Sequence, residues 1–372
     1  GYRMGQEIAV MAPIVFRRVD QTKGEIVLPA VGVPVVSVTP DDAMQFVRAN
    51  EPVDRIVRVR LHAAPDTSLA EVRVTLAVPR GLSADSATRS IAFGQFGGDS
   101  TLAFRVRGRL AAGEYSIDAM AESKGRTYAQ GWTLIDYDHI RRQRLYRPAS
   151  IKVSVVDMRL PAALKVAYIA GVGDNIAPTL TQLGIPTTLI AAVDVAKADL
   201  AGYTTVVIGP RAYEAHPELL AANPKLFDFA RKGGALVVQY GQYEMTQPGA
   251  MPVPITLSRP ADRVTEEDAP IDIRATNSRA MTTPNRITAA DFNGWVQERG
   301  LYMPRTFDPT YRYLLSTHDT NEPDLTSGVL VAPLGSGVYV YTTLSFFRQL
   351  RAGVPGAGRL FVNLLSANIV PS

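Results

Sequence analysis

The apolar and polar positions of the chain follow two rhythms. Over the first third they alternate: Val57, Val59 and Leu61 interleave with Arg58, Arg60 and His62, and Val72, Val74, Leu76 and Val78 keep the same period. Leu102, Phe104 and Val106 repeat it, then Tyr115, Ile117 and Ala119. Successive side chains of an extended chain point to opposite faces, so a period of two predicts half-buried antiparallel strands. Turn strings such as "PRGLS" and "AAGEY" separate them at short spacing, which predicts an Ig-like β-sandwich over residues 36–136. Ahead of it, "IAVMAPIVFRRVDQTKGEIVLPAV" predicts a hairpin turning at Asp20 to Gly24, so residues 1–35 read as a hairpin or the tail of a preceding β-domain.

Residues 137–163 break the rhythm. The surrounding string "DYDHIRRQRLYRPASIKVSVVDMRLP" has little periodicity and two prolines, as expected of an extended connector packed against the next domain. From residue 164 the second rhythm begins. "KVAYIAG", "TTVVIGP" and "ALVVQY" are short buried strands, separated by helical stretches at about Ile176 to Leu183, closed by Gly184, and at Pro217 to Arg231. Strand–helix–strand alternation implies parallel strands joined by crossover helices. "GVLVAPLGSGVYVYTTL" then predicts a hairpin turning at Gly335-Ser336-Gly337, and Ala357, Leu360, Phe361, Leu364 and Leu365 stripe one face of a final helix. The fold class expected is multidomain: an N-terminal antiparallel β-sandwich followed by a flavodoxin-like, doubly wound α/β domain over 164–372.

Composition narrows the functions. A chain of 372 residues predicts two or three domains. The charge is 39 − 35 = +4, with no concentrated basic run, which argues against nucleic acid as a partner. No cysteine is present, which removes disulfides, thiolate metal sites and thiol catalysis. No apolar run is long enough to span a bilayer, so no membrane span is expected. The opening "GYRMGQEIAV" lacks a secretory signal pattern and reads as the cut end of something longer.

In an open α/β sheet, ligands sit beyond the carboxyl ends of the strands. The loops there, "AGVGDN", "GPRAYE", "YGQYEM" and "LSFFRQLRAGVPGA", offer Asp174, Arg211, Tyr213, Glu244, Arg348 and Gln349. That set suits an anionic or sugar-like ligand; read structurally, the same groups cap helices and tie loops, with Arg348 paired to Asp174 or Glu244. Two other motifs lose to structural readings. "GVGDNI" has Ile176 where a dinucleotide fingerprint needs its third glycine. His216 and Glu218 bracket Pro217 at a helix start, and a zinc site needs three or four ligands. In "TPNRITAADFNGWVQERGLY", Thr288 and Asp291 stand at capping-box spacing, Trp295 is expected to pack in an interface, and Arg299 to meet a carboxylate.

The strings "TPNRITAADFNGWVQERGLYMP", "LSFFRQLRAGVPGAGRLFVNLL", "NPKLFDFARKGGALVVQY" and "RLYRPASIKVSVVDMRLPAALKVAYIAGVGD" together resemble the C-terminal region of large bacterial PIG-L (LmbE-like) deacetylases, over most of residues 137–366. The α/β part also resembles class I glutamine amidotransferase-like folds, including the ThuA-like branch. The first resemblance implies a parent enzyme that removes acetyl groups from N-acetylglucosamine-type substrates with zinc held in an N-terminal domain by a His-Pro-Asp-Asp-Glu motif. The nearest string here, "AHPEL", lacks the paired aspartates, so no cofactor or metal is expected in this chain. The second implies a cysteine at the turn after "ALVVQ", where this chain reads Tyr240-Gly241-Gln242.

The expectation is therefore a non-catalytic accessory region. It would bind a glycan or small anionic ligand, or position a deacetylase domain as its partner in cis, in a protein that the resemblance places in the periplasm or outside the cell. A stand-alone hydrolase using Asp174, Glu244 and Arg348, and a purely structural or oligomerisation module, are the alternatives.

Overall fold

The computed structural model describes residues 2–3, 6–7, 14–65, 71–137 and 139–369; part of the predicted N-terminal hairpin string, residues 8–13, lies outside them. The protein is multidomain and rich in β-sheet. It divides into two units, each assembled from separated segments: Gly1–Ala43, Asp54–Gly108 and Ser116–Ile151 in one, Met44–Val53, Arg109–Tyr115 and Lys152–Ser372 in the other.

The first unit is antiparallel. Val36–Pro40, Val53–Ala63, Gly98–Gly108 and Leu82–Ala84 form one sheet in that order, and Thr88–Ile91, Val72–Ala77 and Gly113–Ser123 are neighbours in another. The period of two is visible as burial: Val57, Val59, Leu61 and Ala63 are enclosed while Arg58 and Arg60 face water. On an outward face, Arg105 clasps Asp54 through Nε at 2.7 Å and Nη2 at 2.6 Å, holding the Asp54 carboxyl down to about 2. Val15–Asp20 and Gly24–Pro29 make the expected hairpin, with Asp20 accepting from the Thr22 and Lys23 amides in the turn. The stretch read as a connector carries paired strands: Gln143–Pro148 lies antiparallel to Gln130–Ile135 over six residue pairs.

The second unit contains β1 (Met44–Arg48) and, from Lys152 on, β2 (Ser150–Val156), paired in parallel, and a seven-stranded sheet. The sheet's members are β3 (Val166–Ile169), β4 (Thr187–Leu189), β5 (Thr205–Ile208), β6 (Ala235–Gln239), β7 (Arg312–Tyr313), β8 (Val329–Leu334) and β9 (Gly337–Thr342), in the order β4-β3-β5-β6-β9-β8-β7. The first five run parallel; β8 and β7 are added antiparallel at one edge. Burial on both faces is why β3, β5 and β6 read as unbroken apolar runs.

The helices are α1 (Ile176–Gln182), α2 (Ala212–Ala215), α3 (Leu219–Arg231), α4 (Arg279–Thr282), α5 (Phe346–Ala352) and α6 (Pro355–Leu365). Alternate strand residues feed two cores. Val166 and Tyr168 join Ile176, Leu180, Phe346, Leu360 and Phe361, whereas Ala167 and Ile169 join Leu219, Leu226 and Phe227. Gly184, at φ +82, ends α1 with the Ile185 amide bonded back to Leu180 O at 3.0 Å. At the β8–β9 turn a Cβ on Gly335 would stand 2.4 Å from Arg231 O, so only glycine lets the hairpin close on the end of α3.

Candidate functional site

The loops leaving β3, β5, β6 and β9 meet at the carboxyl edge, but they use the six predicted side chains unequally. Asp174 works inward. Its carboxylate accepts from the Tyr168 hydroxyl at 2.7 Å and from the Gly171 and Ile176 amides at 3.0 Å each. Gln239 Nε2 donates to the same Tyr168 oxygen at 3.1 Å, so a buried chain of hydrogen bonds links the ends of β3 and β6. Burial, with the Asp174 charge second, pushes the Tyr168 phenol far above its usual range. A Cβ on Gly209 would lie 2.2 Å from Asp174 Oδ2, so glycine lets this loop approach β5.

Tyr213 and Gln349 are also interior. The Tyr213 hydroxyl donates to Asn223 Oδ1 at 2.7 Å, and burial raises its pKa. Gln349 is 0% exposed; it accepts from the Val296 amide at 2.8 Å and donates to Val296 O at 2.9 Å and to Ser345 Oγ at 3.0 Å. Glu244 Oε1 caps its own turn, accepting from the Gln242 amide at 2.7 Å. Asp174 and Glu244 are thus each engaged by backbone amides of their own loops, with no hydrogen bond between them.

Arg211 and Arg348 do converge. Burial is the main cause that carries the Tyr240 phenol up to about 12; Glu298 and Tyr302 raise it further, while Arg211 and Arg348 pull it down. The geometry agrees: the Arg211 main-chain amide donates to Tyr240 O at 2.8 Å, and Arg348 lies over Phe347, whose ring leans on Tyr240. Arg211 makes a forked pair with Glu214, at 2.7 and 2.6 Å. Arg348 donates from Nε to Glu298 at 2.6 Å and from Nη1 to Gln297, so its partner is neither Asp174 nor Glu244. Glu298 comes from the segment 296–299 ahead of the Gly300–Met303 strand, which Gln349 holds through the Val296 backbone and Glu298 O.

Between the arginines lies an aromatic patch. The Tyr240 and Tyr302 rings are 6.3 Å apart at 9°, Tyr243 stands edge-on to Tyr302 at 5.9 Å, and Phe347 leans on Tyr240 at 6.1 Å. Arg348 lies 4.9 Å from the Phe347 ring and Arg259 4.0 Å from Tyr243. Tyr243, Tyr302, Phe347 and Arg348 are half-buried, and so offer ring and guanidinium surface to a ligand. Tyr302 and Glu298 escape a strand-end reading because they belong to, or just precede, the short Gly300–Met303 strand, which pairs with Asp262–Val264 outside the seven-stranded sheet; the repeated tyrosines of "QYGQYE" were the available signal.

The backbone adds a second correction. The Tyr240-Gly241-Gln242 turn, read as a nucleophile elbow lacking its nucleophile, has no residue in the left-handed region. A left-handed strand-to-helix turn with a side chain on it is one strand over, where Arg211 at φ +55 leads from β5 into α2. Gln297 at φ +67 and Tyr302 at φ +50 share that conformation. Three side-chain-bearing residues in a region that L-residues rarely enter thus flank one patch.

The remaining sequence motifs resolve structurally. Thr288 and Asp291 form the capping box on a 3-10 turn at Ala289–Phe292, and Trp295 packs between Phe292 and Phe346. Arg299, expected to meet a carboxylate, instead donates to Phe292 O at 2.6 Å and Ala269 O at 3.0 Å from a buried position over Trp295. His216 Nδ1 stands 3.5 Å from Glu218 alone, and among the described residues no group of three or more His, Asp or Glu side chains is placed to hold a metal ion. No helix there is long and apolar enough to cross a membrane.

No family model and no curated protein matches the chain. Among solved structures, a β-galactosidase from Rahnella sp. R3 aligns with 55% of this chain and 32% of its own, at 16% identity and TM-score 0.31. An exo-β-1,4-mannosidase from Opitutaceae bacterium strain TAV5 aligns with 57% of this chain and 36% of its own, at 11% identity and TM-score 0.32. The chain spans about a third of the length of these two enzymes, and at those scores the alignments assign neither fold family nor activity.

Proposed function

We propose that the protein is a non-catalytic carbohydrate-binding accessory unit, whose α/β part is flavodoxin-like and of the glutamine amidotransferase-like kind. Its ligand is a neutral polar glycan held at the carboxyl edge of the sheet. The observation that carries the reading is the Tyr240–Tyr302 stack with Tyr243 edge-on, flanked by Arg211 and Arg348. The polarised C–H faces of a pyranose suit the electron-rich face of an aromatic ring, and its hydroxyls need planar groups that donate and accept side by side. Arg259, over Tyr243, has no ion pair among the described residues, but Arg211 and Arg348, which flank the ring stack, are each matched by a carboxylate, Glu214 or Glu298, so the stack meets forked donors beside acceptors with little net charge. That favours a neutral sugar over the anionic ligand the sequence also suggested.

The parallel order β4-β3-β5-β6-β9 with helices on both sheet faces supports the doubly wound reading. Against catalysis stand the absence of cysteine from the sequence, the arginine at the left-handed position of the β5–α2 turn, and the engagement of Asp174 and Glu244 by their own loops. The resemblance to PIG-L deacetylases supplies the context: a glycan-holding partner for a zinc deacetylase domain, in a periplasmic or secreted protein.

The test is titration calorimetry with N-acetylglucosamine oligomers, other neutral oligosaccharides, and a uronic acid oligomer at matched length. Saturable binding of a neutral oligomer, lost in Tyr302→Ala and Arg348→Ala while the fold persists, is the expected result. Binding confined to the uronic acid oligomer, or turnover of any oligosaccharide by the wild-type chain, would overturn the reading.

A further inference from the structure

A cavity of about 750 Å³ opens at the other, amino edge of the seven-stranded sheet. Tyr203 and Thr204 line it ahead of β5, Lys225 from the middle of α3, Phe229 from its last turn and Lys232 just past it, and Gly234 ahead of β6. The glycine pair that launches β6 therefore has a use beyond turning the chain. Gly233 sits at φ +109, and a Cβ on Gly234 would stand 2.3 Å from the Phe229 ring, so the ring can lie across this backbone only because residue 234 has no side chain. Phe229 and Tyr203 are half-buried and give the cavity two aromatic walls.

Its charge is unbalanced. Asp228 is already paired with Arg231 at 2.7 Å, and Asp199 accepts from the Ala201 amide at 3.0 Å. Lys225 turns its amine onto Ala196 O at 3.0 Å and onto Ala198 O, so it meets carbonyls and no carboxylate. Lys232 is exposed and has no ion pair among the described residues. With Asp228 compensated, two ammonium groups face one carboxylate around aromatic walls. A ring with an acidic substituent matches this arrangement, because its flat face suits Phe229 and Tyr203 while its charge suits the lysines.

We propose that this cavity is a second binding site, for a small planar aromatic acid, with the ring against Phe229 and Tyr203 and the acid group at Lys232 and Lys225. It shares no residue with the carboxyl-edge patch, so either reading can fail without the other. The probes are benzoate, benzyl alcohol and acetate, observed by saturation-transfer NMR on the full chain. Benzoate is expected to bind saturably, benzyl alcohol measurably but more weakly, and acetate weakly or not at all, since each of the latter supplies half of the recognition. Lys232→Ala should weaken benzoate about tenfold, as expected for one charge-assisted hydrogen bond lost, with benzyl alcohol unaffected. Phe229→Leu, which keeps an apolar side chain, should weaken both ring compounds. Gly234→Ala should abolish benzoate binding by displacing the ring, and circular dichroism distinguishes that from failure to fold. Absence of saturable benzoate binding to the wild type overturns the proposal, and so does binding that Lys232→Ala and Phe229→Leu both leave unchanged.

Discussion

Arg348 donates its Nε to Glu298 at 2.6 Å, and the carboxylate it meets is 12% exposed while the arginine itself is 34% exposed. The pair joins α5 to the segment just ahead of the Gly300–Met303 strand, which carries Tyr302. Removing the arginine leaves Glu298 mostly enclosed and uncompensated, whereas solvent already screens part of the attraction. Arg348→Ala should therefore cost about 1–2 kcal/mol in urea denaturation, less than the 3–5 kcal/mol typical of a fully buried pair. Adding Glu298→Gln to Arg348→Ala should recover most of that loss, and a double-mutant cycle on the same measurement checks it.

Arg211 separates backbone from side chain. At φ +55 a non-glycine residue carries a cost of order 1 kcal/mol that glycine does not. Arg211→Gly and Arg211→Ala both lose the Glu214 fork, but only the alanine variant keeps the strain. The glycine variant should be the more stable by about 1 kcal/mol, read from paired urea midpoints.

Tyrosine titration sets the alkaline limit. Burial raises the phenols of Tyr168, Tyr213, Tyr311, Tyr339 and Tyr341 above the ordinary 10.0, and Tyr240 reaches about 12. Once the pH passes 10.0 the unfolded chain loses these protons while the folded chain keeps them. Stability fully present below that pH then falls as pH rises, by about 1.4 kcal/mol per pH unit for each fully buried tyrosine. Urea midpoints between about pH 9 and about pH 11 should drop steeply. Tyrosinate absorbance from these residues should appear together with unfolding.

Tyr168→Phe should remove the hydroxyl that donates to Asp174 and accepts from Gln239, at a cost of about 1–3 kcal/mol for partners left enclosed. Because the patch of Tyr240 and Tyr302 lies outside that network, glycan affinity should change far less than stability. Calorimetry and urea denaturation on the same variant compare the two.

The chain should also hold no stoichiometric zinc, since His216 meets Glu218 alone. Elemental analysis after chelator dialysis checks this; about one zinc per chain would contradict it.

Local order was legible in the residues. Period-two stretches such as Val57 to Leu61, the Gly184 helix end, the Thr288–Asp291 capping box and the Gly335-Ser336 hairpin each follow from short-range sterics or hydrogen bonding, which the sequence carries within a few positions. Partner choice was not legible. Which carboxylate reaches Arg348, and whether Arg299 meets a carboxylate or carbonyls, depends on loops crossing from distant parts of the chain. Gln349 has the composition of a surface residue, and only its fit to the Val296 backbone puts it at 0% exposure. Left-handed backbone at Arg211, Gln297 and Tyr302 has no local signature either, because none is glycine or asparagine.

The parallel pairing of β1 with β2 fixes an order of events during synthesis. Phe46, in β1, is 0% exposed in the same core as Val166, Tyr168 and Leu180. Its main-chain amide donates to Gln182 Oε1 at 2.9 Å, an acceptor that lies 136 residues further along the chain. As the chain leaves the ribosome, that phenylalanine must wait, apolar and uncovered, until the end of α1 has emerged. Contacts between residues so far apart in sequence form slowly, and an apolar strand left waiting is where a nascent chain seeks other company. A gene fragment begun at residue 164 would make the seven-stranded sheet without Phe46, Val156 and Met158, three buried members of its core.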